Sequence, residues 1–195
     1  MRKSESQREA QAGRTKAAIL ASARRSFVEL GYDGAGLRGI ANGAGVTAMM
    51  VGRYFGSKEG LFAAVIDETM REPVILAQAN LDRTDMARAF ANSLVDVTRP
   101  GGPRLDGFMI LLRSSGSSVA SRIARERIAA IHHATATQAI SGQHAAEKAA
   151  VFLALVAGVQ LLRQMLELQP IAKADTNVLT SILTDVISAL LTSVS

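Results

Sequence analysis

The sequence predicts an all-α fold, and three observations carry that reading. No period-two run of β-branched residues is bounded by turn residues, so strand signals are absent. Apolar residues recur instead at three- and four-residue spacing through most of the 195-residue chain. The breaks in that pattern are helix-ending clusters, of which Arg99-Pro100-Gly101-Gly102-Pro103 is the clearest. About nine helices are expected, with no internal repeat.

Residues 1–13 are polar and charged, and are expected to form a disordered basic arm whose Lys and Arg reach a phosphate backbone. A first helix is expected from about Arg14 to Leu30. Ala18, Ile19, Ala23, Phe27, Val28 and Leu30 follow helical spacing there, and Gly31 suits the position just past a helix end. A second helix spans about Leu37 to Ala44, its end softened by Asn42-Gly43. The turn Ala44-Gly45-Val46 leads to a third, about Ala48 to Tyr54, capped by Thr47. Ser57 caps a fourth, with Leu61, Phe62, Val65, Ile66 and Met70 on its core face, which ends or kinks near Glu72-Pro73. Two short helices joined by a tight Gly-containing turn are the geometry of a helix-turn-helix, which places its second helix in the DNA major groove. Residues 14–56 are therefore expected to be a DNA-binding head, and 57–195 a helical ligand-binding and dimerisation body.

Within the body, helices are expected at about Thr84–Val97, Arg104–Arg113, Val119–Ile140, His144–Leu168 and Thr176–Thr192. Ser114-Ser115-Gly116-Ser117-Ser118 reads as a flexible connector. The last two helices are apolar on more than one face, through Val151, Leu155, Val159, Leu162 and Leu166, and through Leu179, Ile182, Leu183, Val186 and Leu190. Such helices need a wall on both sides, and a second copy of the chain supplies one economically. Phe90, Phe108, Met109, Leu112, Ile128, Ile131, His132, Phe152 and Gln160 are candidate walls of an apolar cleft. Aromatics are only 4% of the chain and buried-charge candidates are scarce, so an apolar or neutral small-molecule effector is expected.

Charge is distributed unevenly. Ten Lys/Arg and five Asp/Glu fall within residues 1–60, while twelve of each cancel over the remainder. The whole net charge of +5 therefore sits on the segment with the helix-turn-helix pattern, as expected of a module that meets DNA. Without Cys there is no disulfide or thiolate chemistry. The charged N-terminus is unlike a secretory signal, and the longest apolar run, Ala149 to Leu162, stops at Arg163, so a cytoplasmic protein without a membrane partner is expected. An enzyme is not expected: there is no HExxH, no acidic cluster and no Gly-rich phosphate loop. His132 and His133 are adjacent, so they point about 100° apart on a helix and share no ion. No metal or cofactor is expected.

The stretch from Ile19 to Val65 resembles the N-terminal domain of TetR/AcrR-type transcriptional regulators. The marks are Ile19-Leu20, Ala23, Phe27, Gly31-Tyr32, Ile40-Ala41, Ala44-Gly45-Val46-Thr47, Tyr54-Phe55, Ser57-Lys58-Glu59 and Leu61. The resemblance implies an all-helical homodimer with a three-helix head, a divergent body carrying a ligand pocket, and a dimer interface of four helices built from the last two of each chain. It implies a palindromic operator, with Tyr54 and Lys58 against the DNA backbone and Arg38 reaching a base or phosphate. From the residues themselves, Thr47 can both cap the recognition helix and donate to a phosphate, and Arg53 can read guanine or hold a phosphate. Ala48 and Met49 lie at the groove end, where apolar groups touch thymine methyls, and Val51 faces the core of the head. One departure is Gly52, where the family usually has Tyr; it removes a contact and adds helix flexibility. The other reading of the chain is a helical small-molecule-binding or interaction protein without productive DNA binding.

Overall fold

The computed structural model describes residues 2–102 and 105–192, with side chains from residue 6 onward. Regular structure among them is helical: α1 (Arg2–Gly34), α2 (Leu37–Gly43), α3 (Ala48–Phe55), α4 (Lys58–Met70), α5 (Gln78–Leu81), α6 (Met86–Val97), α7 (Asp106–Ser114), α8 (Ser118–Ile128), α9 (Ala134–Ala139), α10 (Ala145–Gln160), α11 (Gln169–Ala172) and α12 (Thr176–Leu191). A π turn, Ala129–His133, joins α8 to α9, and a second, Leu161–Met165, extends α10. With α8 and α9 counted as one, the described residues hold eleven helices. The two beyond the expected nine are the single turns α5 and α11, too short to leave a periodic trace in sequence.

The chain divides into two compact units, Met1–Arg71 with Leu105–Arg127, and Glu72–Arg104 with Ile128–Ser195. The division does not fall at the expected residue 57. Helices α4 and α7 and the length of α8 to Arg127 group with the head, because Leu61, Phe62, Val65 and Ile66 of α4 close the same core as Ile19, Ala23 and Phe27 of α1 and Ile40 of α2. All eight are fully buried.

In the first unit, α1 runs back to Arg2 through the segment expected to be disordered. No Gly or Pro interrupts residues 2–12, and Ala, Glu, Gln and Arg there favour a helix. The side chains of Arg2 and Lys3, expected near a phosphate, lie outside the described residues, as do the start of the sixth expected helix at Arg104 and the last three residues. Helix α1 breaks at Gly31, where φ 67 and ψ −176 define a conformation that is essentially glycine's alone. Helix α7 lies along α1 and locks this break. Arg24 pairs with Asp106 at 2.8 Å, Arg113 Nη1 donates to the Glu29 carbonyl (2.8 Å), and the Tyr32 amide donates to Ser114 Oγ (3.0 Å). Ser117 Oγ donates to Asp33 Oδ1 (3.1 Å). Ser114 and Ser117 are both buried, so the serine cluster is a docked turn and not the flexible connector expected.

The second unit has its own core, in which Phe90, Ala91, Leu94 and Val95 of α6 meet Ala149, Phe152 and Val159 of α10 and Leu179, Leu183 and Ile187 of α12. The apolar run ending at Arg163 lies within a longer helix, as its expected span implies: the π turn extends α10, and Ala145–Met165 is 21 residues, long and apolar enough by length and composition to cross a membrane. Its Ala149, Phe152 and Val159 are nonetheless interior residues of this unit.

A Cβ at Gly31 would lie 2.6 Å from the Arg113 carbonyl oxygen, on a backbone already at positive φ. Gly31→Ala is expected to destabilise the first unit by about 3 kcal/mol, combining strain and steric shift. Thermal unfolding should show Tm lowered by about 6–12 °C; an unchanged Tm would mean that the α1–α7 joint yields freely.

Candidate nucleic-acid interface

Helices α2 and α3 are joined by a short hydrogen-bonded turn, in which Gly45 N donates to Asn42 O (3.1 Å) and Val46 N to Ala41 O (3.0 Å). Thr47 caps α3 as expected, its hydroxyl accepting from the Met50 amide (3.4 Å). Val51 is buried and seats α3 on the head. The opposite side of α3 is open: Thr47, Ala48 and Arg53 are exposed, and Met49 is 84% exposed. A Cβ at Gly52 would meet nothing within 4 Å, so this stretch of the helix surface is bare backbone. Arg38 is exposed in the first turn of α2.

Ion pairing separates the arginines of this unit. Arg24 is paired with Asp106, and Arg122 with Glu59 and Glu126, whereas neither Arg38 nor Arg53 pairs with a described acid. An uncompensated guanidinium on an exposed helix is available to phosphate or to guanine O6/N7. Gly43 has a packing reason beyond softening α2. Buried Ser22 donates to the Ile40 carbonyl (2.8 Å), and a Cβ on Gly43 would sit 2.5 Å from that hydroxyl.

Tyr54 and Lys58 are half-buried at the far end of α3. Ser57 caps α4 by accepting the Gly60 amide (3.1 Å). The Lys58 ammonium stands 4.6 Å from the centroid of the Tyr32 ring and 3.5 Å from the Asp33 carbonyl. The cation–π contact, worth about 0.5–1 kcal/mol at an exposed site, orients the ammonium without neutralising it. Tyr32 is itself held edge-on to Phe62 at 5.0 Å. All seven residues expected to meet DNA thus lie in one unit, five exposed and two half-buried.

The residues expected to line an effector cleft are distributed differently. Phe108, Met109 and Leu112 belong to α7 of the first unit, and Phe90, Ile128, Ile131, His132, Phe152 and Gln160 to the second. Phe90 and Phe152 are core: both are buried, with ring centroids 5.4 Å apart. His132 lies in the first π turn, and burial pulls its imidazole pKa below the ordinary value, favouring the neutral ring. The residues expected at a dimer interface also divide. Val159, Leu179 and Leu183 are buried in the core of their own chain. Val151, Leu166, Ile182 and Val186 are exposed, and Val178, another apolar residue of the last helix, extends the stripe at four-residue spacing along α12.

Sequence reasoning also missed Arg163. Its residue exposure is 3%, and it follows Phe152 by eleven residues and Val159 by four, which is the same helical face; that spacing was the available signal. Nη1 donates to the Val95 carbonyl and to Thr98 Oγ1 (3.0 Å), while the next residue, Gln164, donates to the Val97 carbonyl (3.0 Å). Both therefore cap the C-terminus of α6. Arg163 Nε is enclosed and has no partner among the described residues, and burial lowers the guanidinium pKa. Isolating such an ion costs several kcal/mol, while the negative end of a helix returns about 0.3–2 kcal/mol. Arg163 is the single buried charge among the described residues, so buried charge is scarce, as expected.

Residues 19–65 match the family of bacterial regulatory proteins, tetR family, and residues 84–191 match the tetracyclin repressor-like, C-terminal domain. No curated protein matches the chain. Among solved structures, the chain is similar to a TetR-family regulator from Streptomyces coelicolor A3, at 24% identity over 93% of this chain and 96% of that one, with a TM-score of 0.63. It is similar to NalD, the secondary repressor of the MexAB-OprM multidrug efflux pump in Pseudomonas aeruginosa, at 20% identity over 94% and 100%, with a TM-score of 0.64. It is also similar to AibR in complex with isovaleryl coenzyme A and operator DNA, at 17% identity over 88% and 97%, with a TM-score of 0.61. At these identities the likeness is one of fold.

Because a Cβ at Gly52 finds open space and α3 is otherwise regular there, Gly52→Ala should stabilise the protein by about 0.8–1 kcal/mol through helix propensity. The expected readout is a Tm higher by about 2–4 °C. A lower Tm would show that Gly52 serves the fold and not the open surface.

Proposed function

The chain belongs to the TetR family of bacterial regulatory proteins, and from that premise we propose that it is a sequence-specific, DNA-binding repressor released by a small organic effector. The observation that carries this reading is the exposed face of the capped, core-anchored α3, with Arg53 in its last turn and Arg38 in the first turn of α2, neither paired with a described acid. Arg38 and Arg53 supply charge and guanine recognition, and Thr47, Tyr54 and Lys58 supply backbone contacts. Met49 and Ala48 touch thymine methyls. With few hydrogen-bonding side chains on α3, operator choice rests largely on DNA shape.

The working form is a homodimer in the cytoplasm. Val178, Ile182 and Val186 on α12, with Val151 on α10 and Leu166 just past the second π turn, are apolar and uncovered, and a second copy covers them. Two recognition helices then meet successive major grooves of a palindrome, about 34–36 Å apart. The effector binds in the body and favours a dimer whose head spacing does not fit DNA; it shifts the equilibrium only by its differential affinity for the two forms. Operator DNA and isovaleryl coenzyme A bound to AibR, and the repressor role of NalD, support this reading.

Selection of fragments from sheared genomic DNA at near-physiological salt should enrich a pseudo-palindrome. Lys58→Ala should weaken binding to every sequence and reduce the salt slope by about one, whereas Arg53→Ala should also relax discrimination. If nothing is enriched and neither change matters, the chain is a helical small-molecule-binding or interaction protein without productive DNA binding. Separately, Ile182→Glu is expected to yield monomers on size-exclusion chromatography with light scattering, and to lose operator binding along with the dimer. Dimers that survive the change would place the interface elsewhere.

A further inference from the structure

The first turn of α4 faces two opposite demands. The positive end of a helix favours an acidic side chain, and Glu59 supplies one there. A DNA phosphate favours a cation, and Lys58, the residue before Glu59, supplies that. A second carboxylate belongs to the same neighbourhood. The Lys58 ammonium donates to the Asp33 carbonyl (3.5 Å), while Asp33 Oδ1 accepts a neutral hydroxyl from Ser117 (3.1 Å) and so keeps its charge. Lys58 alone is outnumbered by these two carboxylates. Helix α8 brings the missing cation: Arg122 Nη2 pairs with Glu59 Oε2 at 3.1 Å, and Nη1 reaches Glu126 Oε1, one turn further along α8, at 3.3 Å. We propose that Arg122 is a positioning residue for DNA binding: it neutralises Glu59, so that the Lys58 ammonium meets a phosphate without an uncompensated carboxylate beside it. The inference rests on the reading of the chain as a DNA-binding regulator and gives α8 a part in it.

Helix cohesion does not account for the pair. Both side chains are half open to water, at 51% and 52% exposure, and such pairs add little to stability. Leu61, Phe62, Val65 and Ile66 of α4, and Ala120 and Ile123 of α8, are buried without its help. Position is what distinguishes it. The Tyr32 ring carries the Lys58 ammonium 4.6 Å from its centroid, and the phenol of that ring senses the same charges. Burial first, then Glu59 and Asp33, push its pKa above the ordinary value, and Arg122 opposes them. An unpaired Glu59 would repel the phosphate that Lys58 attracts, and near a protein surface such charges interact across several ångströms. A second ion pair between the same helices, Arg127 with Asp67 at 2.8 Å, makes a matched comparison. It meets α4 eight residues beyond Glu59, about 12 Å further along the helix and away from Lys58.

The test measures binding of the full-length protein to the enriched genomic fragments and to a random duplex, at low and near-physiological salt, with folding checked by circular dichroism. Arg122→Gln should weaken binding to both by about three- to tenfold, with a smaller deficit at the higher salt. Adding Glu59→Gln should restore binding to within about twofold of wild type, because the carboxylate that needed a partner is gone. Glu59→Gln alone should bind at least as tightly as wild type, which keeps the proposal testable should Arg122→Gln fail to fold. Arg127→Gln should stay within about twofold of wild type, since its partner lies beyond the reach of screened charge. Unchanged binding in Arg122→Gln, a double variant as weak as Arg122→Gln, weakened binding in Glu59→Gln, or an equal loss in Arg127→Gln would each overturn the proposal. A second readout needs no DNA. In a Tyr54→Phe background the remaining phenol is Tyr32, and its ultraviolet titration should move up with Arg122→Gln and down with Glu59→Gln. No movement in either variant would overturn the proposal as well. Wild-type protein that enriches no fragment would remove the regulator reading, while the titration still decides whether Arg122 compensates Glu59 beside Lys58.

Discussion

The head of this protein depends on the joint between the end of α1 and the end of α7. At Gly31 the chain leaves the helix through a conformation closed to other residues, and the Arg113 carbonyl occupies the space a side chain would need. Four polar contacts hold the two strands of chain in register: Arg24 with Asp106, Arg113 with Glu29, Tyr32 with Ser114, and Asp33 with Ser117. The consequence reaches the surface. Tyr32, set by this joint, packs edge-on against Phe62 and offers its ring to the Lys58 ammonium. A backbone break in α1 thus orients a cation just past the end of α3.

The recognition surface is defined as much by omission as by addition. Every arginine that takes part in holding helices together in this unit has an acidic or carbonyl partner, while Arg38 and Arg53 have no ion pair with a described acid. Between them, α3 shows a thioether, a methyl and a bare backbone stretch at Gly52. Such a surface approaches DNA closely but asks few questions of individual bases, which shifts discrimination toward shape and deformability. The family's usual Tyr is absent at Gly52, and the free Arg53 next to it is the nearest replacement cation.

The body obeys a different economy. Its core is aliphatic with a single Phe90–Phe152 contact, and its two long apolar helices bury one face and leave another uncovered. Within that setting an incompletely bonded guanidinium is an expense, tolerable only where a ligand or a structural need offsets it. The two π turns fall at His132–His133 and at Arg163–Gln164, so both irregularities in otherwise continuous helices coincide with polar side chains. The first begins one residue past the boundary at which the chain passes from one compact unit to the other.

Local sequence determined much of this protein. The nine long helices, the Thr47 and Ser57 caps, the buried faces of α1 and α4 and the inward Val51 all follow from short-range spacing and capping chemistry, which act within one or two turns. Even Arg163 was legible, since helical spacing puts it on the face of Phe152 and Val159; it was missed because a charge at the end of an apolar run reads as a stop. Tertiary structure decided what spacing alone leaves open. It grouped α4 and α7 with the head, turned a Ser-Gly cluster into a docked cap for α1, and sorted apolar residues of α10 and α12 into core and uncovered stripe. It also explained Gly43 as room for Ser22. The physical reason is the same throughout: these outcomes depend on contacts between residues up to about 80 positions apart, and a periodic pattern records that a face is apolar without recording which surface covers it.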